Sequence, residues 1–180
     1  TANTDFTAQV FYHGTQVASP GFLDIGIRTE SSPTWNTDVT FTLSESYASR
    51  DWWPCKQSLT DKIDSADIWI TVAPNLKAGS NGVLKNITTM PNGDKRFEWS
   101  SRYPIDYYLL SLSAAPYVDY SYYHHFPNSS DSMLVQNYVY DNPQTLPFWK
   151  NKIDSVGGMI DYFSTLFGRY PFWKEKYGHC

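Results

Sequence analysis

Apolar and polar residues alternate along most of the first 140 positions, and this period of two predicts β-strands. Turn sequences rich in glycine, proline, asparagine and serine interrupt the alternation. The predicted strands cover residues 6–13, 23–27, 39–43, 68–72, 83–90, 97–99, 107–113, 117–124 and 133–140. Many short strands separated by turns indicate a mainly β fold, either an antiparallel β-sandwich or a strongly curved sheet.

The turn sequences indicate where successive predicted strands end and where two of them form a hairpin. Pro20-Gly21 and Asn81-Gly82 predict tight turns. Pro91-Asn92-Gly93-Asp94 is the strongest hairpin signal, because Asn-Gly favours the positive φ angles of a type I′ turn. In the strand at 68–72, Trp69 alternates with apolar neighbours, so we expect this strand to be covered on both faces.

The pattern changes after Asp141-Asn142-Pro143. Apolar residues then recur at steps of four and three, which predicts one C-terminal α-helix with a single apolar face. The members of this face are Trp149, Ile153, Val156, Ile160, Phe163 and Phe167. Pro147 suits the first turn of the helix, and Gly168 suits its C-terminal cap. The apolar face fits packing on the sheet, but its position after a break favours the first helix of a second domain.

Composition excludes several functional classes. The chain of 180 residues has 17% aromatic and 18% charged residues, which argues against disorder. The net charge of −4 is spread without basic blocks, so we expect no nucleic-acid partner. No apolar run approaches the length of a membrane span. Cys55 and Cys180 form no disulfide framework or zinc motif, and we expect Cys55 to be a small buried residue.

The segment from Leu43 to Cys55 is the most informative stretch. A polar part that carries Glu45 leads directly into Trp52-Trp53-Pro54. We expect the two tryptophans to form a buried anchor that holds the 44–50 loop and directs Glu45 outwards, since Pro54 favours extended geometry at the preceding residue.

Other candidates for chemistry are weak. His124 and His125 are adjacent on a predicted strand, so their side chains point to opposite faces and do not easily share a metal ion. The abundant aromatic residues are compatible with a sugar-binding platform, but most of them fall at alternating strand positions or on the helix face, where core packing is the default. There is no G-x-S-x-G, H-E-x-x-H, P-loop or dinucleotide-binding motif.

Several segments in series resemble the aminopeptidase N-type zinc metallopeptidases, the gluzincin group that includes the leukotriene hydrolases. The resemblance lies in the order and spacing of these segments and extends from about Phe6 to the end. Its segments are Ser44-Glu45, Arg50-Asp51-Trp52-Trp53-Pro54-Cys55, Asp61-Lys62, residues 67–74, Ser80-Asn81-Gly82, residues 107–111 and residues 166–172.

The resemblance implies an N-terminal β domain, often called a saddle, that covers a thermolysin-like catalytic domain. It implies that Glu45 binds the free α-amino group of a peptide substrate through a charge-assisted hydrogen bond. In such an enzyme a zinc-bound water attacks the first peptide bond, with a glutamate as general base.

The departures from this family are equally informative. H-E-x-x-H and the Gly-x-Met-Glu-Asn motif are absent, although Gly157-Gly158-Met159-Ile160-Asp161 mimics the latter inside the helical face. We therefore expect a fragment: residues 1–140 as the β domain without its first strands, and residues 141–180 as the truncated start of the catalytic domain. We expect no catalytic residue, bound zinc or peptide cleavage in this chain by itself; its partners would be peptide N-termini and the missing catalytic domain.

Two other functional classes stay open at this point. One is a non-catalytic β-sandwich binding module for carbohydrate or protein, which predicts a row of exposed tryptophans on one sheet face. The other is a scaffold without a ligand. The aminopeptidase interpretation predicts buried Trp52 and Trp53 with Glu45 exposed. By analogy with bacterial relatives, a periplasmic or extracellular location is the expectation.

Overall fold

A computed structural model describes residues 4–15 and 24–180. The described residues form eleven β-strands, two α-helices and two short 3₁₀ turns, at Ser49–Asp51 and Tyr107–Leu109. The strands are β1 (Asp24–Ser32), β2 (Thr37–Ser44), β3 (Ala66–Val72), β4 (Lys77–Ser80), β5 (Val83–Thr89), β6 (Lys95–Ser101), β7 (Leu112–Ala115), β8 (Tyr117–Asp119), β9 (Tyr122–His125), β10 (Ser132–Tyr140) and β11 (Tyr177–His179). The helices are α1 (Thr145–Asp154) and α2 (Val156–Phe167).

The strands form three small sheets. The first has the order β1-β2-β7-β4 and the second has the order β3-β6-β5, and both are antiparallel. In the third, β10 pairs antiparallel with β8 and β9 and parallel with β11. The chain therefore has the mainly antiparallel β fold that the sequence predicts, with one parallel strand pair at its C-terminal end.

Two buried clusters hold these elements together. The larger cluster joins the three sheets around Phe97 and Trp99, with Ala78, Ala114, Ala115, Tyr117 and Tyr138. Trp99 donates its indole N–H to the carbonyl of Ala78 at 3.1 Å, so the ring is satisfied where it is buried. The smaller cluster consists of Phe126, Met133, Val135 and Ile160.

Helix α2 packs on β9 and β10 through this smaller cluster. Ile160 is buried against it, and Gly157 lies so close to His124 that an added Cβ would be 2.5 Å from the ring nitrogen Nδ1. His124 Nε2 is also 2.8 Å from a carboxylate oxygen of Asp161. The predicted boundary at residue 140 therefore lies within a continuous packing unit, and it stays a prediction.

The prediction of a strand at residues 6–13 is wrong. Residues 4–15 have no regular secondary structure and are exposed, including Phe6, Val10, Phe11 and Tyr12. A strand needs a hydrogen-bonded neighbour, and none of the described strands pairs with this segment. Pro20-Gly21 and Leu23, the start of the next predicted strand, lie outside the described residues.

The strand predicted at 68–72 exists as β3, but only one of its faces is covered. Ile68, Ile70 and Val72 face inward and are half-buried, whereas Trp69 is 63% exposed. The outward side of its ring is not bare, because the Arg96 guanidinium lies 4.6 Å from the ring centroid. The Arg96 side chain, from the neighbouring strand β6, therefore covers part of the Trp69 ring in place of a second packed layer.

The predicted hairpin joins β5 and β6, but its turn is not type I′. Gly93 has φ +93°, whereas Asn92 is not among the described residues with positive φ. Gly93 donates its N–H to the Met90 carbonyl at 2.9 Å, and Met90 donates to the Asp94 carbonyl at 2.8 Å. Pro91 favours an ordinary turn followed by a left-handed glycine, and this gives a three-residue loop.

Three further elements differ in extent from the prediction. Residues 107–113 form a 3₁₀ turn followed by β7, and residues 117–124 form β8 and β9. The single predicted helix is two helices that meet at Ser155, whose side chain accepts none of the helix N–H groups and instead donates to the Lys152 carbonyl at 2.7 Å. Pro147 lies in the first turn of α1, and Gly168 caps α2 with φ +86°, as predicted.

No helix among the described residues combines the length and apolar character needed to cross a bilayer.

Candidate substrate-binding turn

Glu45 lies on an exposed turn that begins where β2 ends. β2 is paired with β1 along its whole length, to Ser44, and with β7 at Thr40 and Phe41, so the strand gives the turn a fixed base. Ser44, the last residue of β2, is buried, whereas the next residue, Glu45, is exposed. The strand therefore delivers one carboxylate to the surface at a fixed place.

The residues on both sides of Glu45 are held by aromatic side chains. The Trp52 indole N–H donates to Ser44 Oγ at 2.8 Å, and the Tyr107 hydroxyl donates to the Ser46 carbonyl. Tyr47 N–H donates to the Glu45 carbonyl at 2.8 Å, which closes a tight turn around Ser46. We refer to residues 44–47 as the acidic turn.

Ser46 at the centre of the acidic turn has φ +46°. A non-glycine residue in this left-handed region costs roughly 1–3 kcal/mol and persists only where its surroundings enforce it. Such strain is common at functional sites, so the turn that presents Glu45 differs from an ordinary surface loop.

The tryptophan anchor is less buried than predicted. Trp52 and Trp53 are both half-buried, and their rings pack against each other with centroids 6.1 Å apart. Cys55 is also half-buried, and burial raises the pKa of its thiol. Pro54 is exposed, so the segment turns back towards solvent before it can pack completely. The anchor works through the Trp52–Ser44 hydrogen bond and ring packing.

A half-open cleft of about 920 Å³ lies beside the first sheet. Its walls come from β2, β7, the 101–112 segment and the C-terminal segment. Thr42 and Asp106 line it: Thr42 lies two positions before the acidic turn, and Asp106 directly precedes Tyr107. Glu45 itself lines neither this cleft nor a second cavity of about 420 Å³ between Trp35, Trp149 and β10.

Lys176 is the most unusual charged residue of the cleft wall. Its ammonium group donates to the carbonyls of Ser80 (2.6 Å) and Gly82 and lies 4.0 Å from the centroid of the Trp99 ring. Burial lowers the pKa of Lys176 to about 8, against the smaller opposing effects of Cys180 and Glu175. Glu175, next to it, accepts from the backbone N–H of Arg102 at 2.6 Å.

The described residues do not fit a zinc site. They contain no group of three or more histidine, cysteine, aspartate or glutamate side chains close enough to hold a metal ion. His124 is half-buried and pairs with Asp161, while His125 is exposed, so the two histidines diverge as the sequence predicts. Gly157 to Asp161, which mimic the family motif, lie within α2.

The row of exposed tryptophans that a carbohydrate-binding module would require is not formed by the described sheet faces. On the outer face of the β3-β6-β5 sheet, Trp69 is the one exposed tryptophan among the described residues. Its neighbours Arg96 and Glu98 bond to each other at 2.9 Å.

The sequence identified Glu45 and the Trp52 anchor, but not Tyr107, which holds the turn from the other side. Tyr107 falls in a stretch that alternates like a strand, and its pairing with Ser46 spans 61 positions, so no local pattern reports it. Lys176 was missed for the same reason, because its carbonyl partners are more than 90 positions away. The one sequence feature that could have drawn attention to Tyr107 is the adjacent pair Tyr107-Tyr108, and such a pair is a weak indication of a functional residue.

With its fold and candidate turn described, the chain can be placed among known structures: it has the fold of the M1 zinc metallopeptidases over this region. No protein-family model matches it, and no curated protein does.

Three solved structures illustrate the likeness. The M1 zinc metallopeptidase of Deinococcus radiodurans matches with a TM-score of 0.63 and 22% identity over 78% of this chain. A glutamate-to-alanine mutant of the Deinococcus radiodurans M1 enzyme bound to a Tyr-Ser-Ala substrate matches with a TM-score of 0.69 and 21% identity over 92% of this chain. A two-domain M1 mutant bound to L-tryptophan matches with a TM-score of 0.69 and 22% identity over 91%. The chain spans 31%, 36% and 35% of these structures, respectively.

Proposed function

We propose that this chain is part of a zinc aminopeptidase and that Glu45 binds the α-amino group of the peptide substrate. The observation that carries the proposal is the exposed carboxylate on a braced turn, within a fold shared with metallopeptidases that include a peptide-bound form. A carboxylate that faces an ammonium ion forms a charge-assisted hydrogen bond and selects peptides with a free N-terminus.

Residues 1–140 would then form the β domain that faces the substrate, and residues 141–180 would begin the catalytic domain. Large apolar side chains of α2 support this division, because Met159, Tyr162, Phe163, Leu166 and Phe167 are all exposed. An apolar patch of this kind marks an interaction surface. The zinc ligands would come from residues other than those described, since these do not fit a metal site.

The test replaces Glu45 with alanine and with glutamine in the complete protein that contains this chain. We expect KM for peptides with a free N-terminus to rise roughly 10- to 100-fold in Glu45→Ala, as befits the loss of a hydrogen bond to a charged group. Glu45→Gln should retain part of the affinity, because an amide oxygen still accepts a hydrogen bond.

Asp51→Asn is the matched control. Asp51 is an exposed carboxylate in the same loop, 4.0 Å from the Arg50 guanidinium, and the proposal gives it no contact with substrate. Its KM should stay near that of the wild type. An unchanged KM in Glu45→Ala, with the fold intact by circular dichroism, would refute the assignment of Glu45.

A further inference from the structure

The acidic turn contains a conformation that its own sequence does not favour. Ser46 has φ +46°, and a serine in the left-handed region relaxes to an ordinary conformation unless other groups prevent it. Such a relaxation would rotate the peptide planes beside Ser46 and so reorient the carboxylate of Glu45. Some group near Ser46 must therefore hold the turn.

Tyr107 is placed to do this. Tyr107 is 1% exposed, and its hydroxyl donates to the Ser46 carbonyl, which is the peptide group that changes direction when Ser46 relaxes. Burial raises the pKa of Tyr107, so the hydroxyl keeps the proton that it donates. The Tyr107 carbonyl in turn accepts from Ser49 Oγ at 3.5 Å, which ties the tyrosine to the far end of the same loop.

We propose that Tyr107 is a positioning residue for Glu45: its hydroxyl holds Ser46 in the left-handed conformation and thereby fixes where the carboxylate lies. This inference rests on the proposed role of Glu45 in binding the substrate amine. It assigns Tyr107 no contact with substrate. Trp52 holds the turn at Ser44, on the other side of Glu45, so the acid lies between two fixed points.

The test is Tyr107→Phe in the complete protein, which removes one hydroxyl and keeps the buried ring. We expect KM for free-N-terminus peptides to rise roughly 5- to 20-fold while kcat stays within about 2-fold, because misplacement of a binding group weakens binding first. Tyr108→Phe is the control. Tyr108 packs edge-on against Tyr107 with centroids 5.6 Å apart, and among the described residues its hydroxyl is not one of those that bond to the acidic turn.

The same substitution in a Glu45→Ala background separates positioning from general stabilisation. If Tyr107 acts through Glu45, Tyr107→Phe raises KM no further there. A further rise of similar size in that background would show that Tyr107 acts by another route and would overturn the inference.

Ser46→Val tests the same inference by changing the turn itself. It also serves as the test if Tyr107→Phe fails to fold. A β-branched residue strongly disfavours positive φ, so we expect the same rise in KM with Tyr107 intact. An unchanged KM in Ser46→Val would overturn the inference. If Glu45→Ala has no effect on KM, the proposed function itself fails; if Glu45→Ala raises KM and both Tyr107→Phe and Ser46→Val do not, only the positioning role fails.

Discussion

Lys176 is a half-buried charged residue that joins distant parts of the chain, although burial disfavours its charged form. Its ammonium group connects the C-terminal segment to the turn between β4 and β5 through two carbonyls and the face of Trp99. The pKa of Lys176 falls to about 8 because burial disfavours the charged form more than the nearby Cys180 and Glu175 favour it.

This lowered pKa predicts a pH dependence of stability. Between pH 8 and the ordinary lysine value of 10.5, the unfolded chain binds more protons at this site than the folded chain does. The contribution of Lys176 to the free energy of unfolding therefore becomes more favourable as pH rises through that window, and it is constant below it.

The measurement is chemical denaturation of wild type and Lys176→Met from pH 7 to 10.5. Burial raises the pKa values of Cys180, Tyr138 and other acids, which oppose this trend, so only the difference between the two proteins isolates the lysine. We expect that difference to shift in favour of wild type with rising pH. A difference that stays constant would contradict the lowered pKa.

At the level of residues, sequence reasoning found the exposed acid and the Trp52 anchor but missed Tyr107, which holds the turn at Ser46. Glu45 stands at a recognisable distance from Arg50 and Pro54 along the chain. Tyr107 and Lys176 act through carbonyl groups, which every residue possesses, so no residue type at the other end marks the partnership. Sequence patterns therefore do not reveal contacts between a side chain and a distant backbone carbonyl.

Helix α2 and strand β9 show the same limit at the level of elements. The pattern of apolar residues predicts a helix there, and Ile160, one member of the predicted apolar face, is buried. It does not show that the helix approaches β9 at Gly157, because close approach requires the absence of a side chain. Nor does it locate the division at Ser155, since the helical period continues across it.

Adjacent glycines in α2 therefore give a paired prediction. Gly157→Ala should destabilise the chain by roughly 1–3 kcal/mol, because the new methyl group meets the His124 ring, which Asp161 holds in place. Gly158→Ala should be neutral or stabilise by up to about 1 kcal/mol, since alanine favours helix and nothing lies within 4 Å of its Cβ.

Thermal and urea unfolding of the two variants check this pair. Because both substitutions make the same chemical change in consecutive positions of one helix, their difference reports the contact with His124 alone. Equal effects of the two substitutions would show that α2 does not pack on β9 in this way.

For the whole molecule, the exposed apolar face of α2 is the main feature that the chain leaves unpaired within its described residues. Phe167 is 81% exposed, and Phe163 stacks beside it with ring centroids 6.3 Å apart. In the proposed enzyme this face would be covered by the remainder of the catalytic domain. The sequence predicted one continuous apolar face, and only its middle part is buried here.

The double substitution Phe163→Ser/Phe167→Ser tests this coverage. In the chain alone we expect unfolding free energy to change by no more than about 0.5 kcal/mol, as for other surface positions, and self-association in sedimentation to decrease. In the complete protein the same change should cost roughly 2–5 kcal/mol, because two buried rings are lost. Thr165→Ser serves as the control on an exposed position of the same helix.

Equal tolerance of the double substitution in both contexts would mean that nothing covers this face. The proposed division into a β domain and the start of a catalytic domain would then lose its structural support, whereas the assignment of Glu45 would be unaffected.

β10 belongs to two kinds of architecture at once. One part of it pairs antiparallel with β8 and β9, and another part pairs parallel with β11 after a crossover through α1 and α2. A strand–helix–strand crossover is the building unit of α/β proteins. Dividing the polypeptide between residues 140 and 141 would therefore separate β10 from β11. The first piece would have an unpaired edge along β10, and the second would lose the strand with which β11 pairs.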